Sequence, residues 1–163
     1  MGRGLMLVSC HVGKAKLCLM NTHLESTKEY ADERKWQTRK CFKKALKVDE
    51  DVTVVFGGDL NARDKEIEEI GGVPAGMDDL WVRTGARKDF EFTWDMRRNT
   101  NLEFPGKFKP RCRFDRLYIR DAHPKRVEPE HFVLFGIERV PGCQRFPSDH
   151  WGILTDFRVK SNE

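Results

Sequence analysis

The chain has 163 residues, of which 39% are hydrophobic and 34% charged, and its net charge at pH 7 is +4. This length and balance predict one soluble, globular domain and exclude an intrinsically disordered chain. No apolar run approaches the ~18 residues that a membrane span needs, and nothing after Met1 resembles a secretory leader, so we expect an intracellular protein with no membrane partner. Five cysteines without a C-x-x-C pair predict neither a disulfide framework nor a zinc site.

The first half of the chain predicts a hairpin followed by a helix. Two β-rich runs, 5–10 and 16–23, flank a turn at Gly13. Residues 26–29 (STKE) have the pattern of a capping box, which predicts a helix from there to about Lys47. The apolar stripe of this helix is formed by Phe42, Ala45 and Leu46.

The second half is mostly strand. An apolar run at 52–61 predicts a strand buried on both faces that stops at the paired glycines 57–58. A short helix is expected over 63–70, closed by a GGVP turn, and half-buried strands over 113–120 and 150–159. The inward side chains of the last two strands are Phe114, Leu117, Ile119, Trp151, Ile153 and Phe157. This order predicts an α/β (α+β) fold built on sheet layers.

Basic residues concentrate in one part of the chain. Between Arg83 and Arg126 there are thirteen Lys or Arg against six Asp or Glu, and Asp115 alone opposes the six basic residues of 107–120. This segment could follow a phosphate backbone, or it could be an ordinary solvated face. Aromatic residues that could stack on bases or pack in a core lie among the charges, at Phe90, Phe92, Trp94, Phe104, Phe108 and Phe114.

Three polar clusters lie at the ends of apolar strands. They are Asn21-Thr22-His23, Gly58-Asp59-Leu60-Asn61 and Ser148-Asp149-His150. Each alone is compatible with an ordinary turn, because Asp and Asn are common turn formers. Together they indicate a functional site, since strand ends fix the position of side chains that carry chemistry.

These clusters carry a family resemblance. The strings GDLN, RFDR and SDH, with THLES upstream, resemble the endonuclease/exonuclease/phosphatase family of metal-dependent phosphoesterases, from about Leu5 to Phe157. The resemblance implies a four-layer α/β/β/α sandwich of the DNase I-like type. Since that domain has about 250 residues, we expect 1–163 to form a single domain that is its C-terminal part, incomplete at the N-terminus.

The resemblance also implies the roles of five catalytic residues. Asp59 orients and deprotonates a water, and Asn61 holds that water and a phosphoryl oxygen. His150 stabilises the charge that develops on phosphate, with Asp115 as its acidic partner. His23 makes a second phosphate contact.

The expected cofactor is Mg²⁺, with Mn²⁺ as the alternative. The resemblance places Asp149 and Asp59 near the metal, in part through water. The family's direct ligand is a Glu that precedes His23, and residues 1–21 contain no Asp or Glu. We therefore expect an incomplete metal site and little activity from this chain alone.

The implied substrate is DNA. The strings FTWD, RFDR and SDHWG are similar to those of family members that remove tyrosyl or peptide adducts from DNA 5′ ends in DNA repair. Ser26 and Arg63 would contact phosphates of a single strand, and Trp94 and Phe114 would form an apolar wall beside it. A nuclear protein is implied, with the cytoplasm as the alternative, and exposed strand edges suggest dimerisation or element swapping.

Three alternatives remain at this stage. An abasic-site endonuclease or an inositol polyphosphate phosphatase of the same family would share the aspartates and histidine. The phosphatases carry a P-x-W-x-D-R pattern, whereas this chain reads Arg113-Phe114-Asp115-Arg116, which argues against a phosphoinositide substrate. A non-catalytic nucleic-acid-binding domain is the third, and substrate cleavage with and without Mg²⁺ distinguishes them.

Overall fold

The computed structural model describes residues 2–103 and 107–160, which form a mixed five-stranded sheet, two two-stranded sheets and three helices. The strands are Leu5–Val12 (β1), Ala15–His23 (β2), Val52–Asp59 (β3), Asp78–Asp79 (β4), Trp94–Asp95 (β5), Arg111–Cys112 (β6), Asp115–Arg120 (β7), Val127–Phe135 (β8) and Gly152–Val159 (β9). The helices are Ala31–Leu46 (α1), Asp64–Glu69 (α2) and Leu80–Arg83 (α3). In this part of the chain, no helix is long and apolar enough to cross a membrane.

The large sheet has the strand order β1-β2-β3-β7-β4. β2 and β3 run parallel, so α1 lies in the crossover between them, whereas the other pairs are antiparallel. β5 pairs with β6, and β8 with β9. Consequently β2 and β3 end at the same edge of the sheet.

The helix α1 covers one face of the sheet. The ring of Phe42 on α1 lies 5.9 Å from that of Phe56 on β3 and 5.0 Å from that of Tyr118 on β7, both edge-on. These three side chains are buried, and edge-to-face aromatic pairs add to the free energy gained by burial. The packing fixes β3 and β7 side by side, and these strands carry Asp59 and Asp115.

The opposite face is covered over β7 by α3 and the β8–β9 hairpin. Its buried core is made by Leu80, Ile119, Phe132, Leu134 and Trp151. Over β1 and β2 the same face carries exposed apolar side chains, Met6, Val8, Val12 and Leu19, which we call the open face. Val8 and Leu19 are directly opposite each other and are 48% and 42% exposed.

The predicted start of α1 is wrong. The helix begins at Ala31, and Thr27 within the expected first turn has φ +65°, a left-handed conformation that no α-helix contains. The predicted end near Lys47 is correct. Leu46, expected in the apolar stripe, is exposed, while Phe42 and Ala45 are buried.

The predicted stop of β3 at its glycines is also wrong, because the strand continues through Gly57 and Gly58 to Asp59. A Cβ atom on Gly57 would lie 2.1 Å from the Arg116 carbonyl oxygen, and one on Gly58 would lie 2.1 Å from that of Thr22. The glycines therefore allow close approach of both neighbouring strands instead of ending the strand.

The strand β8 was not predicted from the sequence. It contains Pro129 and the charged Glu128 and Glu130, which are unfavourable in a central strand. The hairpin tolerates the proline because the register shifts between Pro129 and His131, as in a β-bulge. The expected strands over 113–120 and 150–159 are present as β7 and β9.

Four arginines of the basic segment are bound by carboxylates and carbonyls of the fold. Arg113 and Arg116 pair with Asp64 and Asp79, and Arg120 donates to four backbone carbonyl oxygens. Arg111 pairs with Asp95 and stacks on Phe92. These four arginines have structural roles, so neither the phosphate-track nor the solvated-face interpretation describes them. Phe104 lies outside the described residues.

Candidate active site

The strand register aligns the first three site residues in one row. His23 on β2 lies opposite Asp59 on β3, and Asp59 lies opposite Asp115 on β7. Cross-strand neighbours point to the same face, so the three side chains project together from the sheet. His23 Nε2 is 3.4 Å from Asp59 Oδ2.

His150 reaches this row from the segment before β9. Its Nδ1 is 2.7 Å from Asp115 Oδ2, and its Nε2 is 4.0 Å from Asp59 Oδ2 and 3.9 Å from Asp149 Oδ2. With Asp115 accepting a hydrogen bond from Nδ1, the ring directs Nε2 towards two carboxylates. Sequence positions 59, 115 and 150 thus meet at one point, as expected from the clusters.

Asn61 sits in a left-handed turn directly after β3. Its φ is +50°, its backbone N–H donates to Asp59 Oδ1 at 2.9 Å, and its side-chain nitrogen donates to the Leu24 carbonyl at 3.2 Å. Asn tolerates this conformation better than most residues. The turn orients the Asp59 carboxylate and ties it to the loop that follows β2.

Burial and the neighbouring charges shift the pKa values of Asp59 and His150. Burial raises the pKa of Asp59, and the nearby Asp115 raises it further. Burial lowers the pKa of His150, but the hydrogen bond and charge of Asp115, with the charges of Asp59 and Asp149, outweigh it and leave that pKa raised. The site therefore favours a protonated imidazole beside a carboxylate.

Aromatic rings line one side of the cluster. The ring of Phe114 lies 5.6 Å from that of Trp94 and 6.4 Å from that of His150, and the Arg63 guanidinium lies 5.7 Å from the Phe114 centroid. Three of the four residues expected to bind DNA are therefore brought together beside His150. Ser26 lies half-buried in the loop after β2.

Comparison with known proteins identifies the group. No family model matches the chain. Tyrosyl-DNA phosphodiesterase 2 of Gallus gallus is 41% identical over 160 residues, covering 98% of this chain and 42% of that protein. The crystal structure of D. rerio tyrosyl-DNA phosphodiesterase 2 complexed with single-strand DNA product matches with a TM-score of 0.91 at 40% identity, over 96% of this chain and 62% of that one. The chain is therefore similar to tyrosyl-DNA phosphodiesterase 2 over nearly its whole length.

This chain spans less than half the length of the curated tyrosyl-DNA phosphodiesterase 2 relatives it matches. An endonuclease/exonuclease/phosphatase family protein from Bacteroides thetaiotaomicron shares the fold, with a TM-score of 0.63 at 12% identity over 98% of this chain and 56% of that one. Both the family resemblance and the mixed α/β, DNase I-like fold class inferred from the sequence are confirmed.

The oxygen and nitrogen donor atoms at this site are of the types that bind a divalent cation. Ligand atoms of Asp59, Asp115 and His150 lie within 4.8 Å of one another. Mg²⁺ prefers oxygen ligands, and the carboxylates of Asp59 and Asp149 supply them, while Asp115 is engaged by His150. In this chain, Asp59 and Asp149 are the residues that could hold the metal.

Sequence reasoning missed Thr93 as a supporting residue of the tyrosyl-DNA phosphodiesterase 2-like site. Its hydroxyl accepts from the Asp115 N–H at 3.0 Å, and its carbonyl accepts from the Trp151 N–H at 2.7 Å. One buried residue thus anchors the backbones that carry Asp115 and His150. The string FTWD contained Thr93, but no sequence signal separates a buried threonine of this kind from an ordinary strand residue.

Proposed function

We propose that this chain forms part of a Mg²⁺-dependent DNA-repair phosphodiesterase that hydrolyses the 5′-phosphotyrosyl bond between a DNA end and a tyrosine of trapped topoisomerase 2. The observation that carries the proposal is the 2.7 Å contact of His150 Nδ1 with Asp115 Oδ2, because it directs Nε2 towards Asp59 and Asp149. The names of the relatives support this substrate class. Such a substrate implies a nuclear protein.

The reaction follows from the residue chemistry. Asp59 orients the attacking water and takes its proton, and a raised pKa suits it to this role. Asn61 offers both a donor and an acceptor, so it can hold the water beside a phosphoryl oxygen. Protonated His150 donates from Nε2 to a non-bridging oxygen as negative charge grows there, and His23 contacts the phosphate from the β2 side. A divalent cation at Asp59 and Asp149 supplies further charge stabilisation when bound.

The leaving group suits such a site. A tyrosine phenolate, with a pKa of about 10, leaves more easily than a sugar alkoxide, so less leaving-group assistance is required. Trp94 and Phe114 would line the DNA end, and Arg63 and Ser26 would bind phosphates of the single strand. The contact of Arg63 with the Phe114 ring supports this assignment because it places a cation beside the aromatic wall.

The chain alone should turn over poorly. The family's direct metal ligand is a Glu that residues 1–21 do not supply. We infer that full activity requires a carboxylate from outside these 163 residues.

Cleavage of a 5′-phosphotyrosyl oligonucleotide tests the proposal, with and without Mg²⁺ and with EDTA. We expect Mg²⁺-dependent release of tyrosine from the oligonucleotide by a longer protein that contains this chain and supplies the missing carboxylate, and little release by this chain alone. Cleavage by this chain at the rate of the longer protein would overturn the incomplete-site proposal. Equal cleavage of an abasic-site duplex, or no cleavage of either substrate by the longer protein, would overturn the assigned activity.

A further inference from the structure

Arg34 on α1 is completely buried and binds the loop that precedes its own helix. Its Nη1 donates to the carbonyl oxygens of Glu25 at 2.9 Å and Thr27 at 2.8 Å, which flank Ser26 on both sides. Its Nε and Nη2 donate to both carboxylate oxygens of Glu66, at 3.1 and 2.6 Å. The guanidinium therefore joins the Ser26 loop to the α2 helix in a forked, bidentate geometry.

Glu66 extends this connection to Arg63. Its Oε2, which accepts from Arg34, also accepts from the Arg63 backbone N–H at 2.9 Å. Arg63 is the residue immediately before α2, and its side chain extends over the Phe114 ring. The Arg34–Glu66 pair is thus hydrogen-bonded to the backbone at three places, on either side of Ser26 and at Arg63.

The loop held by Arg34 is strained. Thr27 has φ +65°, and a β-branched residue rarely adopts this conformation. Strain of this kind persists where surrounding contacts impose it, and it concentrates at functional sites. Here the contact that holds the Thr27 carbonyl is the hydrogen bond from Arg34.

Stability alone does not account for this arrangement. A buried ion pair often contributes no more stability than apolar side chains of similar size would. Two of the four hydrogen bonds of the guanidinium go to loop carbonyls, and Glu66 accepts one from the Arg63 N–H. Each of these contacts fixes backbone beside the site.

We propose that Arg34 and Glu66 are a positioning pair that sets Ser26 and Arg63 at the spacing needed to contact phosphates of one nucleic-acid strand. This inference rests on the proposed function, since it takes Ser26 and Arg63 as strand contacts. Neither Arg34 nor Glu66 touches the strand itself.

Two double-mutant cycles on single-stranded DNA binding test the pair. The ligand is a short 5′-phosphorylated oligonucleotide labelled at its 3′ end, measured by fluorescence anisotropy with EDTA, so that cleavage plays no part. The first cycle combines Glu66→Gln with Arg63→Ala, and the second combines Arg34→Lys with Ser26→Ala. The substitutions at the pair keep side-chain length and polarity, and circular dichroism checks that each variant is folded at the temperature of measurement.

We expect Arg63→Ala to weaken binding by about three- to ten-fold and to lower the slope of log K against log[salt] by about 0.7, the loss of one phosphate contact. Glu66→Gln should weaken binding in the same direction, and the double variant should bind no more weakly than Arg63→Ala. The second cycle should also be non-additive, but with an unchanged salt slope because Ser26 is neutral.

A remote ion pair provides the matched control. Arg83 pairs with Asp121 at 3.0 Å, away from both loops, so Asp121→Asn should leave binding and its salt slope unchanged. Additive losses in both cycles, or wild-type binding by Glu66→Gln and Arg34→Lys, would overturn the positioning role alone. Wild-type binding by both Arg63→Ala and Ser26→Ala would overturn the strand contacts as well, and with them this part of the proposed function.

Discussion

At the residue scale, the neighbours of the His150 ring determine how it can act. Asp115 accepts from one ring nitrogen, and the other faces Asp59 and Asp149. The ring therefore cannot turn without losing a charge-assisted hydrogen bond. Asp59 is in turn held by the Asn61 N–H, so a hydrogen bond fixes the rotamer of each of these two side chains.

Asp59→Asn should lower the rate of 5′-phosphotyrosyl cleavage by about 10³- to 10⁴-fold in the longer protein, because the amide cannot take a proton from water. His150→Ala should cost a similar factor through lost charge stabilisation. Single-turnover cleavage measures both. Asp51→Asn, which removes only an exposed pair with Lys16, is the control, and a loss below ten-fold at Asp59 or His150 would refute its role.

Gly58→Ala should lower the free energy of unfolding by at least about 3 kcal/mol, because the new Cβ would lie 2.1 Å from the Thr22 carbonyl oxygen in a residue at φ +126°. Gly71→Ala isolates the backbone contribution. Gly71 has φ +97° with no atom within 4 Å of the added Cβ, so about 1 kcal/mol is expected. Urea unfolding of the two variants measures the difference, and equal losses would show that strand approach does not require Gly58.

At the scale of elements, the stability that the α1–α2 contact contributes depends on pH. Burial acts to raise the pKa of Glu66, but the hydrogen bonds from Arg34 and the Arg63 N–H outweigh it, so that pKa is lowered from its ordinary 4.5. A lowered pKa means that the folded state favours the ionised form. The stability gained is complete above about pH 4.5 and is lost as the pH falls through the lower folded-state value.

The free energy of unfolding should therefore differ between the wild type and Glu66→Gln by an amount that is constant near neutral pH and shrinks below about pH 4.5. Urea unfolding from about pH 7 to about pH 3 measures this gap, and the comparison cancels the titration of the other carboxylates. Asp32→Asn, at the exposed start of α1, should give a smaller gap, because water screens the pair with Lys35 that lowers the pKa of Asp32. A gap that stays constant to the lowest pH would contradict the shifted pKa of Glu66.

Sequence patterns predict the elements whose signals are local. The β1–β2 hairpin, the end of α1, α2, β7 and β9 follow from alternation, helix propensity and turn residues. The start of α1 could not be predicted. The STKE pattern favours a helix start at Ser26, but Arg34 binds the carbonyls on both sides of Ser26 and holds this segment as a loop, and those contacts depend on the tertiary fold. The strand β8 was missed because its proline is tolerated only through a bulge.

The residues of the candidate site also fall into two groups, those that the sequence predicts and those that it does not. Asp59, Asn61, Asp115, Asp149 and His150 could be named because their strings are distinctive, and the strand register explains why Asp59 and Asp115 meet. Thr93, Arg34 and Glu66 could not, since a supporting residue is recognised by its burial and its partners. The internal partners of Arg113, Arg116 and Arg120 were missed for the same reason, because the sequence does not show which carboxylates and carbonyls these arginines contact in the fold.

At the scale of the whole molecule, the open face is an exposed apolar surface that packing among the described residues does not explain. The helix α1 covers one side of β1 and β2, while the other side exposes apolar residues beside the β8–β9 hairpin. Clusters of exposed apolar side chains commonly mark surfaces that associate. We therefore propose the open face as the surface for the dimerisation expected from the sequence.

The double variant Val8→Thr/Leu19→Thr should reduce self-association of this chain, because it makes a directly opposed apolar pair polar with threonine, which is favourable in strands. Sedimentation velocity over a range of concentrations measures the effect. Val82→Thr, an exposed apolar residue on α3, is the control and should sediment like the wild type. A wild-type chain that is monomeric at every concentration would disprove association through this face.

The cross-strand row has a consequence for how the molecule folds. His23, Asp59, Asp115 and His150 come from four separate parts of the chain, and 35 positions separate even the last two. Contacts between distant positions form slowly, because the intervening loop must be closed first. An intermediate with the β1–β2 hairpin and α1 in place would have most of its helix but no adjacent Asp115 and His150. The His150 imidazole signal in nuclear magnetic resonance should therefore reach its native position only in the last phase of refolding, after helical circular dichroism has recovered.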